Sequence, residues 1–178
     1  DAFVDEAGDV GQQLSGELNL GIIDNAVSNP DFRVADALEV FLAEAPGVSV
    51  NISVGDPADL EAQVLDGRSH LAIGLFNGSR QNLDYLPLYQ TTHGLFCGRE
   101  HPLFAIEDEE LTEDDLHKAL CLDTGYLDTI EGFQRDIGLG QVKSDTHQNA
   151  EGVALLVLSG RYVGNLPVSY AQRWVEQQ

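Results

Sequence analysis

The chain has 178 residues, of which 43% are hydrophobic, so one large domain or two small lobes can bury a core and general disorder is excluded. Its 9 Lys and Arg face 30 Asp and Glu, and the formal charge of -21 excludes nucleic-acid binding through this segment's own surface, because phosphates would be repelled. No apolar run approaches the ~20 residues that span a bilayer, which argues against a membrane protein.

The first half of the chain alternates strand and helix patterns. Residues 1–15 carry scattered apolar positions and predict a frayed helix or a linker. The elements that follow are a strand at 18–23, a helix at 34–42, a strand at 48–54, a helix between Asp56 and Gly67, and a strand at 71–74. Asp56 is the predicted N-cap of the second helix and Gly67 its stop. The order is typical of a parallel sheet covered by helices.

The second half repeats this alternation after two strand-length apolar segments at 86–88 and 94–97. The acidic stretch 107–115 predicts a solvated loop and the start of a helix. The remaining predicted elements are a strand at 119–122, a helix at 126–137, a strand at 141–143, a helix at 149–158, a strand at 162–166 and a helix at 168–175.

Two successive α/β units with two crossings predict a clamshell, in which a ligand lies between the lobes at the carboxyl ends of strands. We assign residues 16–91 and 166–178 to lobe I and residues 92–165 to lobe II. The last helix is thereby expected to return to the first lobe.

Helix starts that follow strands are the expected ligand contacts, because their unpaired backbone N–H groups suit carboxylates and other small anions. The candidate ligand-binding residues at these starts, after the third strand, on the connection between the lobes and near the final strand are Asp24, Asn25, Ser28, Asn29, Asp56, Phe76, Asn77, His93, Thr124, Tyr126, Asn149 and Asn165. Arg33 is the arginine that could turn back towards this cleft.

Several of these residues have a purely structural alternative. Asp56, Ser28 and Thr124 are also suited to be N-caps or turn formers, and His93 to be a hydrogen-bonded hinge residue. Asp24 and Asp56 would repel an anion, so a neutral, zwitterionic or amine-bearing ligand stays open beside a small organic acid.

The sequence carries no recognised catalytic or metal-binding signature. It contains no nucleophile elbow, no dinucleotide-binding glycine fingerprint and no P-loop. The 5 histidines show no metal-ligand spacing, and Cys97 and Cys121 form no metal or redox motif. We therefore expect no catalytic residue, no metal and no cofactor.

Five segments follow one another from Gly16 to the C-terminus: GELNLGIIDNAVSNP, ALEVFLAEAPGVSVNISV, LEAQVLDGRSHLAIG, LYQTTHGLFCGREHPLF and LSGRYVGNLPVSYAQRWV. In this order they resemble the effector-binding domain of LysR-type transcriptional regulators. The resemblance implies two Rossmann-like lobes joined by a two-crossing hinge, as in type 2 periplasmic binding proteins, with an effector in the cleft. The loop DNAVSNP is longer than is usual in the family, so the family's serine or threonine contacts there are not transferred.

The resemblance also implies partners. DNA would be bound only by an N-terminal winged helix-turn-helix outside this sequence, with residues 1–15 as the tail of its linker helix. A homodimer or tetramer would form through this domain, with helix 34–42 of one chain against helix 152–158 of another. The alternative is a free solute-binding protein of a transporter, which shares the fold; an enzyme of the same architecture, such as a deaminase or dehydratase, is a more distant one.

Two further expectations concern the environment. The start DAFVDEAGDV lacks the basic region of a signal peptide, which favours the cytoplasm. The acidity fits either a face for a cationic partner or a protein that stays hydrated at high salt. Because the acidic residues are spread along the whole chain, we favour the second interpretation and a halophilic source.

Overall fold

The first sheet is parallel throughout, as the strand and helix alternation predicts. The computed structural model describes residues 14–76, 78, 80–122 and 149–177. Strands β1 (Ser15–Ile23), β2 (Gly47–Gly55) and β3 (Leu71–Ile73) lie in the order β2-β1-β3. Leu20 of β1 is aligned with Ile52 on one side and with Leu71 on the other. All three carboxyl ends therefore lie at the same edge of the sheet.

Helix α2 (Pro57–Leu65) packs tightly on this sheet. The Asp56 carboxylate accepts a hydrogen bond from the Asp59 backbone N–H at 2.9 Å, which confirms the predicted N-cap, and Gly67 follows the helix with a φ of +71°. Leu60 is fully buried against Gly21, where an added Cβ would lie 2.8 Å from the Leu60 Cδ2. The close approach of α2 therefore depends on a residue without a side chain.

Helix α1 (Val34–Glu44) also forms where the apolar periodicity predicts it. It contributes no buried residue to the monomer. Val40 on this helix is 61% exposed. An apolar helix face is thus left open to solvent in the single chain.

The second sheet is mixed. Strands β4 (His93–Cys97), β5 (Cys121–Leu122) and β6 (Val163–Pro167) lie in the order β4-β6-β5, with β4 antiparallel and β5 parallel to the central strand. Helices α4 (Ala150–Leu158) and α5 (Val168–Val175) pack on one of its faces, and α3 (Glu113–Lys118) precedes β5. The core residues are Leu122, Ala150, Val153, Ala154, Val157, Leu166, Tyr170 and Ala171.

The acidic stretch behaves as predicted. Thr112 and Asp115 form a reciprocal capping box at the start of α3, and the carboxylates of the first helical turn lie at its positive end. The solvated helix start is therefore confirmed.

The strand expected at residues 86–88 is wrong. Leu86 is 82% exposed, and this segment belongs to neither sheet. Pro87 lies at its centre and has no backbone N–H to donate to a neighbouring strand. The helix predicted at 126–137 and the strand predicted at 141–143 lie outside the described residues.

The segment from residue 166 to residue 175 contacts the second sheet. Leu166 pairs with Gly94 of β4, and Tyr170 belongs to the same buried cluster as Leu122. The apolar face of α5 is therefore buried on the second sheet. Within the described residues, no helix combines the length and apolar character that crossing a bilayer requires.

Gly164→Ala tests the packing of α4 on β6. Its Cβ would lie 2.5 Å from Val157 Cγ2 and 2.6 Å from Val153 Cγ1, inside the van der Waals radii. We expect the free energy of unfolding, measured by urea denaturation, to fall by about 1–3 kcal/mol. Gly55→Ala is the control, since its nearest new neighbour lies at 3.5 Å, an ordinary contact. Equal losses in both variants would contradict the packing argument.

Candidate functional site

The expected ligand cleft corresponds to the place where the loop after β1 meets the N-terminus of α4. The loop after β1 carries the contact: the half-buried Asp24 carboxylate accepts a hydrogen bond from the backbone N–H of Ala150, with Oδ2 and N 2.6 Å apart. Ala150 is the first residue of α4, where the helix leaves N–H groups unpaired and the helix dipole is positive. An acidic side chain of the first unit therefore satisfies a helix start of the second.

A second bridge crosses the same gap. Ser28, in the 3₁₀ helix Ala26–Ser28, accepts a hydrogen bond from Nη2 of Arg173 at 3.3 Å. The Arg173 guanidinium lies over the Tyr170 ring, 4.1 Å from its centroid, and 4.8 Å from that of Trp174. The cation is thus held on α5 by aromatic faces while one amino group reaches the first unit.

Tyr170 joins these groups electrostatically. Its hydroxyl donates to Glu151 at 2.8 Å. Burial first, and then the Glu151 carboxylate, raise the pKa of Tyr170 to about 12; Asp24 adds to the increase and Arg173 opposes it. The site therefore combines two carboxylates, a guanidinium, a protonated phenol and a helix N-terminus, an arrangement suited to a small ligand that carries opposite charges.

Most of the candidate Asn and Asp residues stabilise backbone turns. Asn25 has a left-handed backbone with a φ of 53°, and the Asn29 side chain accepts from the Asp31 backbone N–H at 2.9 Å. Asn149 is exposed and caps α4 by accepting from Gly152 at 2.8 Å. Asp56 caps α2, as described above. Asn29, Asp56 and Asn149 thus accept hydrogen bonds from local backbone N–H groups.

Three other candidates lie in or beside the packed interior. Phe76 packs against the buried cluster of Ile23, Ala26 and Leu60, and its ring centroid lies 5.9 Å from that of Tyr85, so it forms part of the first core. His93 begins β4 opposite Pro167 and is half-buried. Asn165 is 2% exposed.

Asn165 carries an unusual feature for a buried side chain. Its amide oxygen has no hydrogen-bond partner among the residues that the structure describes. It lies in the middle of β6 opposite Leu95, while the neighbouring Gly164 and Leu166 face the α4 side. A buried acceptor without a partner costs about 1–3 kcal/mol, so a partner such as a ligand donor would stabilise it.

Sequence reasoning missed the groups on the last helix. Tyr170, Arg173 and Trp174 have the i, i+3, i+4 spacing that places side chains on one helix face, which was the available signal. Arg33, the arginine expected near the cleft, is exposed and pairs with Asp36 at 2.6 Å. The candidates Asn77, Thr124 and Tyr126 lie outside the described residues.

The described residues hold no cluster of three side chains that could bind a metal ion. A separate apolar crevice lies between α4 and α5, beside Phe96, Ala154 and Trp174, with a volume of about 40 Å³. Ligand pockets for metabolites are typically about 300–1,000 Å³, so this crevice is a packing gap of the second core rather than the cleft.

Comparison with known proteins then decides the family. Residues 11–178 match the family described as the LysR substrate binding domain. The chain belongs to this family. It is 35% identical over 175 residues to the HTH-type transcriptional activator BauR of Pseudomonas aeruginosa, which covers 98% of this chain and 57% of that protein. The chain therefore spans little more than half the length of this curated relative.

Solved structures share the fold of this LysR domain. The cofactor-binding domain of the Cbl transcriptional regulator has a TM-score of 0.66 at 17% identity and covers 88% of this chain and 69% of its own. The effector domain of AmpR of Pseudomonas aeruginosa has a TM-score of 0.65 at 16% identity, with 93% and 76% covered. Oxidised OxyR has a TM-score of 0.63 at 18% identity, with 89% and 74% covered.

The expected fold is thereby confirmed: an α/β domain with two lobes, similar to type 2 periplasmic binding proteins. BauR is named as a transcriptional activator, and Cbl and AmpR are named as transcriptional regulators.

Tyr170→Phe tests the electrostatics of the site. The tyrosine pKa is about 10 in the unfolded chain and about 12 in the fold, so the unfolded state loses its proton first. The resulting stabilisation is complete below pH 10 and is lost as pH rises towards 12, by on the order of 2 kcal/mol. The variant loses the Glu151 hydrogen bond, so it is less stable at pH 8, but its stability falls less steeply at high pH. The free energy of unfolding is measured by urea denaturation from pH 8 to 12. An equal fall with pH in the wild type and the variant would contradict this assignment.

Proposed function

We propose that this chain is the ligand-sensing domain of a LysR-type transcriptional regulator. A small-molecule effector binds between the lobes and shifts the relative populations of their arrangements. This shift changes how an N-terminal winged helix-turn-helix elsewhere in the full-length protein occupies its operator. The match of residues 11–178 to the family carries this proposal. The name of BauR, an HTH-type transcriptional activator, supports it.

The effector class follows from the charges of the cleft. The N-terminus of α4 and the Arg173 guanidinium favour a carboxylate, while Asp24 and Glu151 favour an ammonium group and disfavour a second anionic group. We propose a small organic acid or zwitterion as the effector.

We propose that the domain has no catalytic activity and uses no cofactor. Its cleft carboxylates serve structural hydrogen bonds, with Asp24 on a helix start and Glu151 on a phenol. The protein would act in the cytoplasm, where operator DNA lies, and at high internal salt, which its charge of -21 suits.

The contacts of α5 also bear on where the boundary between the two lobes lies. We propose that lobe I comprises residues 16–91 and that lobe II extends from residue 92 through α5. Leu166 and Tyr170 support this revision, since both lie in the core of the second sheet.

Exposed apolar side chains support a homodimer or tetramer through this domain. Val40 on α1 and Leu155 on α4, the latter 67% exposed, lie on the two helices that we expect to pack between chains. We expect the double variant Val40→Glu, Leu155→Glu to have the molar mass of a monomer. The molar mass is measured by light scattering at high salt. Exposed Val175→Glu is the control. A wild-type protein that stays monomeric at high concentration would contradict this assembly.

A thermal-shift screen of small acids, amines and zwitterions, followed by native mass spectrometry of the hits, tests the sensor role. An effector at 100 times its Kd adds about 2.7 kcal/mol of stability. A hit must also change operator binding by the full-length protein. Turnover of the hit, or an upstream coding sequence without a helix-turn-helix, would contradict the proposal.

Asn165→Leu separates ligand binding from folding. The substitution removes a buried acceptor that has no described partner, so we expect unfolding temperature without ligand to stay equal or rise. We expect the affinity for a hit, obtained from the concentration dependence of its thermal shift, to fall at least tenfold. The reason is that the ligand loses its acceptor. Asn51→Leu on β2, whose side chain bonds Asn19, is the control and keeps the response. An unchanged response in Asn165→Leu would remove this residue from the site.

A further inference from the structure

Two hydrogen bonds already join the first loop to the second unit without a ligand. One runs from the Ala150 backbone N–H to Asp24, and the other from Arg173 to Ser28. Their partners lie 126 and 145 residues apart in sequence. Both contacts are therefore tertiary, and both cross the gap in which the effector is proposed to bind.

The Asp24 contact is not needed to cap α4. Asn149 already fills the N-cap position and accepts from the Gly152 backbone N–H at 2.8 Å. Helix α2 provides an internal comparison, since its own N-cap Asp56 accepts from Asp59 in the same way. Asp24 thus adds an acceptor from the opposite unit to a helix start that is capped locally.

The chemistry of this contact is that of a bound anion. The first N–H groups of a helix have no partner within it and carry partial positive charge, which favours a carboxylate. Hydrogen bonds to an ionised acceptor are shorter and stronger than neutral ones, and the Oδ2 to N distance is 2.6 Å. Because Asp24 is part of the chain, its effective concentration at this helix start is high.

We propose that Asp24 is a tethered ligand of the second lobe, which holds the lobes together when no effector is bound. The Ser28–Arg173 contact is a second attachment point of the same latch. The further consequence rests on the proposed function: an effector carboxylate that binds the start of α4 replaces Asp24, so that each molecule bound releases the latch.

Amide exchange of Ala150, followed by NMR, tests the latch without any effector or DNA. This N–H lies at the first position of the helix, so protection from exchange cannot come from a helical hydrogen bond. We expect Asp24→Ala to speed the exchange at Ala150 at least fivefold. Asp31→Asn is the matched control, since it removes one negative charge from an exposed position in the same loop. It should leave the exchange at Ala150 unchanged.

Formate supplies the carboxylate that Asp24→Ala lacks. We expect formate to restore protection at Ala150 in this variant in a saturable manner, while chloride at equal ionic strength does not. If Asp24→Ala does not fold, Asp24→Asn takes its place, with a smaller increase in exchange because the amide oxygen still accepts. Unchanged exchange in the Asp24 variant, an equal effect of Asp31→Asn, or lost protection that formate does not restore would each overturn the proposal. A latch that passes these tests stands even if the domain has no effector.

Discussion

A hydrogen bond between a carboxylate on the first unit and a helix start on the second joins the two parts of the molecule. Asp24 and the Ala150 backbone N–H bring together two units that otherwise have separate cores. The interaction depends on a geometric condition: the carboxyl ends of three parallel strands must lie at one edge, opposite the positive end of α4. The hydrogen bond from Arg173 to Ser28 joins the same two units.

Two glycines allow helices α2 and α4 to pack closely on their sheets. Gly21 lets Leu60 of α2 approach β1, and Gly164 lets Val153 and Val157 of α4 approach β6. A side chain at Gly164 would push α4 outward and move its start, whereas one at Gly21 would push α2 outward. Tight cores therefore fix where α2 and α4 lie on their own sheets.

Much of the fold could be predicted from the sequence, but less of the site. Strict alternation at 48–54 and the Asp56 to Gly67 helix signals identified their elements, because local propensity and tertiary burial agree there. The segment 86–88 is as apolar as a strand, and Pro87 shows why composition alone was insufficient. Asp24 and Ser28 were expected at the cleft. The start of α4, with Asn149, was expected there too, but Arg173 was not, because its pairing with Ser28 across 145 residues leaves no local pattern.

Chemical-shift mapping with a bound effector tests the central claim that the polar gap between the units is the sensing site. The account predicts that the largest backbone shifts on binding occur at residues 24–29 and 149–152, and that the Ala150 amide proton, the donor to Asp24, shifts most. Shifts confined to the apolar crevice beside Phe96 and Trp174, with Ala150 unchanged, would contradict it.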